Sequence, residues 1–269
     1  MYEFDCPAPV TLSLRMAAGN AEISASDRRT ATVEVSPADS SEASRDAAAR
    51  TRVELRDGTL HVEAPEWTGW LFRRGPRLRV EVRLPQDGDL TVKTASADVH
   101  ATGRYRRATV ASASGDTSVE HVTGDAALNA ASGDLQAARV DGNLKLNCAS
   151  GDITVGYVGG DTYAHSASGD VAITHAGGSL RATTASGDIR VGTVTAGTVR
   201  ANSASGDVAI GVAAGIGVWL DLSSISGDTR TDLTMPAGHG DASAAALNLQ
   251  VRTVSGDIDV HRAIEHAAA

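Results

Sequence analysis

The chain has 269 residues, a formal net charge of −9, 28 glycines and only nine aromatic residues. That composition argues against a globular core built on large aromatics. No apolar stretch approaches the ~20 residues of a membrane-spanning helix. The acidity is lopsided: residues 1–110 hold 16 basic and 16 acidic side chains, and residues 111–269 hold 8 and 17. An acidic chain of this kind is a poor magnet for nucleic acid, so none is expected as a partner. Cys6 and Cys148 make no disulfide framework and suit a reducing compartment.

The opening, MYEFDCPAPVTLSLRM, has no basic region followed by an apolar one. It therefore does not read as a signal peptide, and the expected location is cytoplasmic, with peripheral membrane association as the variant. In LSLRMAAGNAEI, Leu12, Leu14, Gly19 and Ile23 set out a strand, a corner and a strand, read as an opening coil. The strands TATVEV, TRVEL, TLHVEA and RLRVEVRL follow, interrupted by two insertions. Residues 38–50 are polar and Ala-rich and read as a short helix or loose loop. Residues 65–77, PEWTGWLFRRGPR, gather Trp67, Trp70 and Phe72 beside Arg73, Arg74 and Arg77. Aromatics next to arginines are enriched at interfaces. The alternative is a hairpin whose rings cap the first coil.

From Asp87 to Ala213 one nine-residue phrase recurs, as in SGDITVGYV, GGDTYAHSA and SGDVAITHA. Alternate phrases differ, one kind opening SGD and the other TGD, DGN, GGD or GGS, so the full period is 18. Apolar residues at positions four and six alternate with polar ones, the mark of a strand with one buried face. Glycine at position two permits a positive φ and hence a tight corner. Position nine is expected to point inward beside it. Two phrases make one coil, and stacked coils pair as parallel strands about 4.8 Å apart. The predicted fold is all-β: a parallel β-solenoid (β-helix), right-handed, of 18-residue coils. The expected layout is one continuous domain. It has an N-terminal cap over 1–86, the regular solenoid over 87–213, and capping strands with a tail over 214–269.

Asp116, Asp134, Asp152, Asp170, Asp188 and Asp207 recur on one corner, and Asp228 and Asp257 repeat the motif later. Charges ~5 Å apart repel by about 0.8 kcal/mol in water, so something must offset them. The structural reading has each carboxylate accept hydrogen bonds from turn N–H groups and the neighbouring serine, as in Asx-turns. Calcium between coils is the alternative, but the extra glycines of calcium-binding nonapeptides are missing. On the outward side of the second kind of phrase, Lys145, Tyr163, Arg181 and Arg200 fall in one row, a candidate partner surface. Cys148 occupies a slot filled elsewhere by Ala130, Ser166 and Thr184, and reads as a small packed residue. The eight histidines are scattered, and no HExxH, GxSxG, P-loop or CxxC motif occurs.

The SGD repeats, the GVWLDLSS element and the closing VRTVSGDIDVHR resemble a bacterial family provisionally named adhesins, domains of unknown function with β-strand repeats. The actinobacterial branch without a leader is nearest. The resemblance spans nearly the whole chain; it implies a parallel β-solenoid and, by name, adhesion, and it brings no catalytic residues. The expected function is non-enzymatic: a structural, scaffold or adhesin-like interaction module without cofactor or metal, partnered by protein or by itself. Two alternatives stand beside it. One is an enzyme or binding protein for a cell-envelope polysaccharide. The other is a membrane-associated envelope-stress module docking through 65–77.

Overall fold

The computed structural model describes residues 1–65, 75–233 and 247–263. Contacts divide the chain into two compact units, Met1–Ala138 and Arg139–Ala269. Strand dominates both, and the parallel rungs identify a β-solenoid. Among the described residues no helix is long and apolar enough to cross a membrane.

The first unit is organised on β2 (Thr11–Ser26), which runs unbroken through a whole coil. Leu12, Leu14, Met16, Ala21 and Ile23 point inward and are buried. On one side β2 pairs in parallel with β7 (Asp89–Tyr105), Leu12 opposite Leu90 and Ile23 opposite Ala101. On the other it pairs with β5 (Thr59–Glu63) and β6 (Leu78–Pro85), Leu14 opposite Val62 and Ile23 opposite Val82. The opening coil of the sequence is thus the second rung, because β5 and β6 wrap outside it. Antiparallel strands finish that edge. β4 (Arg52–Arg56) lies on β5, β3 (Thr30–Pro37) on β6, and β1 (Tyr2–Asp5) on β3. Within the 38–50 insertion, α1 (Glu42–Arg50) starts at Ser41, whose hydroxyl accepts from the Ser44 N–H. Beyond β7 the regular coils begin: β8 (Arg107–Ser114) and β9 (Thr117–Val122) pair with β7, and β10 (Ala126–Ser132) with β8. Tyr105 is fully buried, its hydroxyl 2.9 Å from the Thr102 carbonyl and 3.2 Å from that of Ile23.

The unit boundary falls within β11 (Leu135–Val140). In the second unit the strands alternate between two stacks. One holds β12 (Leu144–Ser150), β14 (Thr162–Ser168), β16 (Leu180–Ser186) and β18 (Gly197–Ser205). The other holds β13 (Ile153–Val158), β15 (Val171–Ala176), β17 (Ile189–Val194) and β19 (Val208–Val212). Ile153, Val171, Ile189 and Val208 form one buried column in register, each burial being worth about 1.5–3 kcal/mol.

The C-terminal strands extend these stacks out of chain order. β20 (Val218–Ser226) and β21 (Thr229–Thr231) come first in sequence, yet β22 (Leu247–Ser255) and β23 (Ile258–Arg262) dock on β18 and β19. β20 and β21 then pair with the outer edges of β22 and β23.

Two expectations about the corners need correction. In SGD phrases position nine does turn inward, and Val140, Val158, Ala176 and Val194 are buried. In the other phrases the strand alternates straight through position eight. There Cys148, Ser166 and Thr184 are buried, while Ala149, Ala167 and Ala185 at position nine face solvent. Likewise a positive φ recurs regularly only at the SGD corner, as at Gly169 (φ 139°); at the opposite corner Gly159, Gly160, Gly177 and Gly178 do without one, and Gly197 (φ 85°) departs from them. At the opposite corner the glycines are required by close approach. A Cβ on Gly178 would sit 2.6 Å from the Gly160 carbonyl oxygen.

Candidate functional site

The Asp column lies along the SGD corner and forms a hydrogen-bonded ladder. In the first unit, Asp116 donates its N–H to Asp98 Oδ1 (3.1 Å) and Asp134 to Asp116 Oδ1 (2.9 Å). In the second, Asp170, Asp188, Asp207, Asp257 and Asp228 donate in turn to the Oδ1 atoms of Asp152, Asp170, Asp188, Asp207 and Asp257, each at 2.8 Å. Each of these acceptor carboxylates thus receives the N–H of the next rung, where the Asx-turn reading has it accept from its own turn. The extended strand that follows Asp carries its N–H along the stack, so the side chain of the rung before is the acceptor within reach. Arg190 lies beside the column, 2.5 Å from Asp188 Oδ2 and 3.4 Å from Asp170 Oδ2, and offsets part of its charge. With Oδ1 committed to N–H groups, little of the six-to-eight-oxygen shell that calcium needs is left. Among the described residues no three His, Cys, Asp or Glu side chains are placed to hold a metal ion.

The opposite corner repeats the device without steady charge. Asn143 Oδ1 accepts from Asp161 N–H (2.9 Å), Asp161 Oδ1 from Ser179 N–H (2.9 Å), and Ser179 Oγ from Thr198 N–H (3.3 Å). A neutral oxygen therefore serves as well as a carboxylate. Buried hydroxyls in slot eight add a further tie: Thr184 Oγ1 donates to the Gly169 carbonyl (3.2 Å) and Ser203 Oγ to that of Gly187 (3.1 Å).

The face between these corners on the β12 stack carries the cationic row. Lys145, Tyr163, Arg181 and Arg200 occupy successive rungs in register, and all four are exposed. Asn147, His165, Thr183 and Asn202 fill the neighbouring row, and no carboxylate projects from these four strands on this side. Lys145 Nζ stands 5.8 Å from the centre of the Tyr163 ring, within cation–π range. Arg200 Nε donates to Gln250 Oε1 one rung further (3.0 Å). Successive rungs ~4.8 Å apart make this a flat, evenly spaced array of cationic and hydrogen-bonding groups.

A second column was missed in the sequence. At position eight of successive SGD phrases, the Arg139 guanidinium lies 4.4 Å from the centre of the Tyr157 ring, and that ring stacks on His175 at 5.1 Å and 6°. The 18-residue spacing of these three residues was the available signal. Trp67, Trp70, Phe72, Arg73 and Arg74 lie outside the described residues.

In the first unit, ion pairs tie neighbouring rungs. Arg104 clamps Asp87 through two bonds of 2.6 and 2.7 Å, and Arg106 clamps Asp89 at 2.8 and 2.7 Å. The Arg104 hydrogen bonds hold the Asp87 carboxyl below its usual range. Burial pushes the Cys6 thiol up.

Three solved structures are similar to this chain at low identity. A protein of Bacteroides fragilis NCTC 9343, provisionally described as an adhesin, is 13% identical, with 96% of this chain and 95% of that one covered and a TM-score of 0.48. A protein of Parabacteroides distasonis ATCC 8503, provisionally described as lipid-binding, is 14% identical over 96% and 95%, with a TM-score of 0.46. A provisionally described cell adhesion protein of Clostridium sporogenes ATCC 15579 is 12% identical over 97% and 98%, with a TM-score of 0.26. Among curated proteins, none matches the sequence. The Toastrack DUF4097 family model matches residues 11–261, and the chain belongs to that family.

Proposed function

We propose that this chain is a non-enzymatic binding module whose cationic row receives an acidic stretch of a protein partner. The observation that carries the reading is the row itself: three cations and a tyrosine on consecutive rungs, without an intervening acid, in a chain of net charge −9. Arg181 directly opposite Arg200 opposes folding by up to about 0.8 kcal/mol at ~5 Å in water. A glutamate at either position would relieve that cost. The array therefore serves something other than the stability of its own sheet. An extended acidic partner laid along the rungs finds one positive or hydrogen-bonding group per rung, and charge complementarity sets its encounter rate and register. An acidic glycan is the second reading, favoured by the exposed Tyr163 ring beside His165, which offers a sugar both a stacking face and a donor.

The test measures binding of labelled poly-L-glutamate, with polygalacturonate as the glycan arm, by anisotropy across salt concentration. The wild type is expected to bind one of them, with affinity falling as salt rises. The Arg181→Glu/Arg200→Glu variant is expected to keep its melting temperature and lose that binding. Absence of binding to both polymers, or equal binding by the variant, overturns the reading.

A further inference from the structure

The last rung departs from the repeat in ways that change its surface but leave its backbone alone. β20 pairs with β22 on one side, and among the described residues nothing pairs with its other side. Leu247 donates its N–H to the Gly217 carbonyl. By the parallel-ladder pattern, the odd-numbered residues of β20 therefore direct their N–H and C=O groups at β22. Those of Leu220, Leu222 and Ser224 point to the open side. In register with Leu220 and Leu222 on the rung below, Leu249 and Val251 are fully buried, whereas Leu220 and Leu222 are only half-buried.

The side chains change in the same place. The polar corner position occupied by Asn143, Asp161, Ser179, Thr198 and Asn248 is taken here by Trp219, which is 37% exposed. The exposed slot held by Ala149, Ala167, Ala185 and Ala204 becomes Val254 one rung from the edge and Ile225 at the edge, 79% exposed. Large apolar groups thus replace polar or small ones at the open edge. Natural edges are ordinarily blunted with charge or proline instead.

We infer that β20 is the contact of a two-fold dimer, pairing antiparallel with β20 of a second copy about an axis at Leu222. The pattern is self-complementary about that residue. Trp219 falls opposite the partner's Ile225, on the same outward face. Leu220 falls opposite the partner's Ser224 and Asp221 opposite the partner's Ser223. Leu222 meets itself, and no like charges face each other. The outward backbone groups of residues 220, 222 and 224 are those a hydrogen-bonded antiparallel register requires. The half-buried leucines of the two copies then close one continuous core. A patch that satisfies itself in this way is isologous, which gives a closed dimer rather than a fibre. This contact does not involve the cationic row and stands apart from what that row binds.

The experiment is sedimentation velocity on the full chain over a concentration series. The wild type is expected to approach twice the monomer mass. Ile225→Lys, at a side chain 79% exposed, is expected to be monomeric with an unchanged melting temperature. Trp219→Glu/Ile225→Lys is expected to dimerise again at low salt, because the new charges face each other across the axis. In a second measurement, Leu222→Cys is expected to cross-link to its own copy on oxidation, since a hydrogen-bonded pair places Cα atoms ~5.5 Å apart, within disulfide reach. A wild type that stays monomeric, an Ile225→Lys variant that stays dimeric, or a Leu222→Cys variant that does not cross-link overturns the inference.

Discussion

Replacing Asp170 separates two roles that its carboxylate could play. Its Oδ1 accepts the Asp188 N–H at 2.8 Å, and its Oδ2 lies 3.4 Å from Arg190. Alanine removes the acceptor and leaves the N–H of half-buried Asp188 without its partner, which costs about 1–3 kcal/mol. Asparagine keeps an oxygen in the same place, as Asn143 does for Asp161 on the opposite corner. It also removes one charge from a column whose neighbours lie ~5 Å away, a repulsion of about 0.8 kcal/mol in water. Loss of the long contact to Arg190 works the other way and is small at an exposed pair. Asp170→Asn is therefore expected within about 0.5 kcal/mol of wild type, and Asp170→Ala 1–3 kcal/mol below it. At about 2–8 °C per kcal/mol, the alanine variant melts several degrees lower. Urea denaturation of both variants, with the slope checked for constancy, gives the comparison. If asparagine proves as damaging as alanine, the charge matters and the neutral-ladder argument is wrong.

Gly169→Ala is expected to cost more than Asp170→Ala. Its φ of 139° is hostile to a side chain, and the added Cβ would collide with the Gly151 carbonyl oxygen. Circular dichroism on heating ranks the two. Tyr105→Phe removes the hydroxyl that lies against the Thr102 and Ile23 carbonyls and is expected to lower stability by about 0.5–1.5 kcal/mol in urea titration. The Asp87 carboxyl is held low by Arg104, so its contribution is present above the unfolded value near ~3.9 and is lost as pH falls through the lower folded value. Wild type should accordingly exceed Asp87→Asn in urea midpoint at neutral pH, with the gap closing on acidification; a constant gap contradicts the pairing. Cys6 and Cys148 are both buried, and an aromatic disulfide reagent is expected to label them only after denaturant is added.

The regular coils were legible because their physics is local and repeated. Ile153 and Val155 flanking Thr154, closed by Gly151, state the strand, its buried face and its corner within nine residues, and the register of Ile153 with Val171 follows from the period. What escaped was decided by contacts far apart in sequence. Nothing in LSLRMAAGNAEI signals that TLHVEA and RLRVEVRL will lie outside it, since both sides of a rung read alike. Ala149 and Val158 occupy the same phrase position, yet one is exposed and the other buried, because only the SGD strand breaks its alternation before the corner. The cationic row of Lys145, Tyr163, Arg181 and Arg200 was visible once strand and period were known. The Arg139–Tyr157–His175 stack was hidden because position eight of the SGD phrases was assigned no face.

The displaced order of the C-terminal rungs bears on how the chain is made. A growing solenoid can add each coil to the one before as it leaves the ribosome, but here β20 and β21 emerge before the strands that separate them from β18 and β19. Val218 and Leu220 occupy the columns of Leu247 and Leu249, so the earlier segment can settle provisionally in the later one's seat. Where it does so, the newcomer must displace it outward to reach the observed pairing. Such an exchange would leave the earlier strand where the register finds it, on the outer edge of the later one.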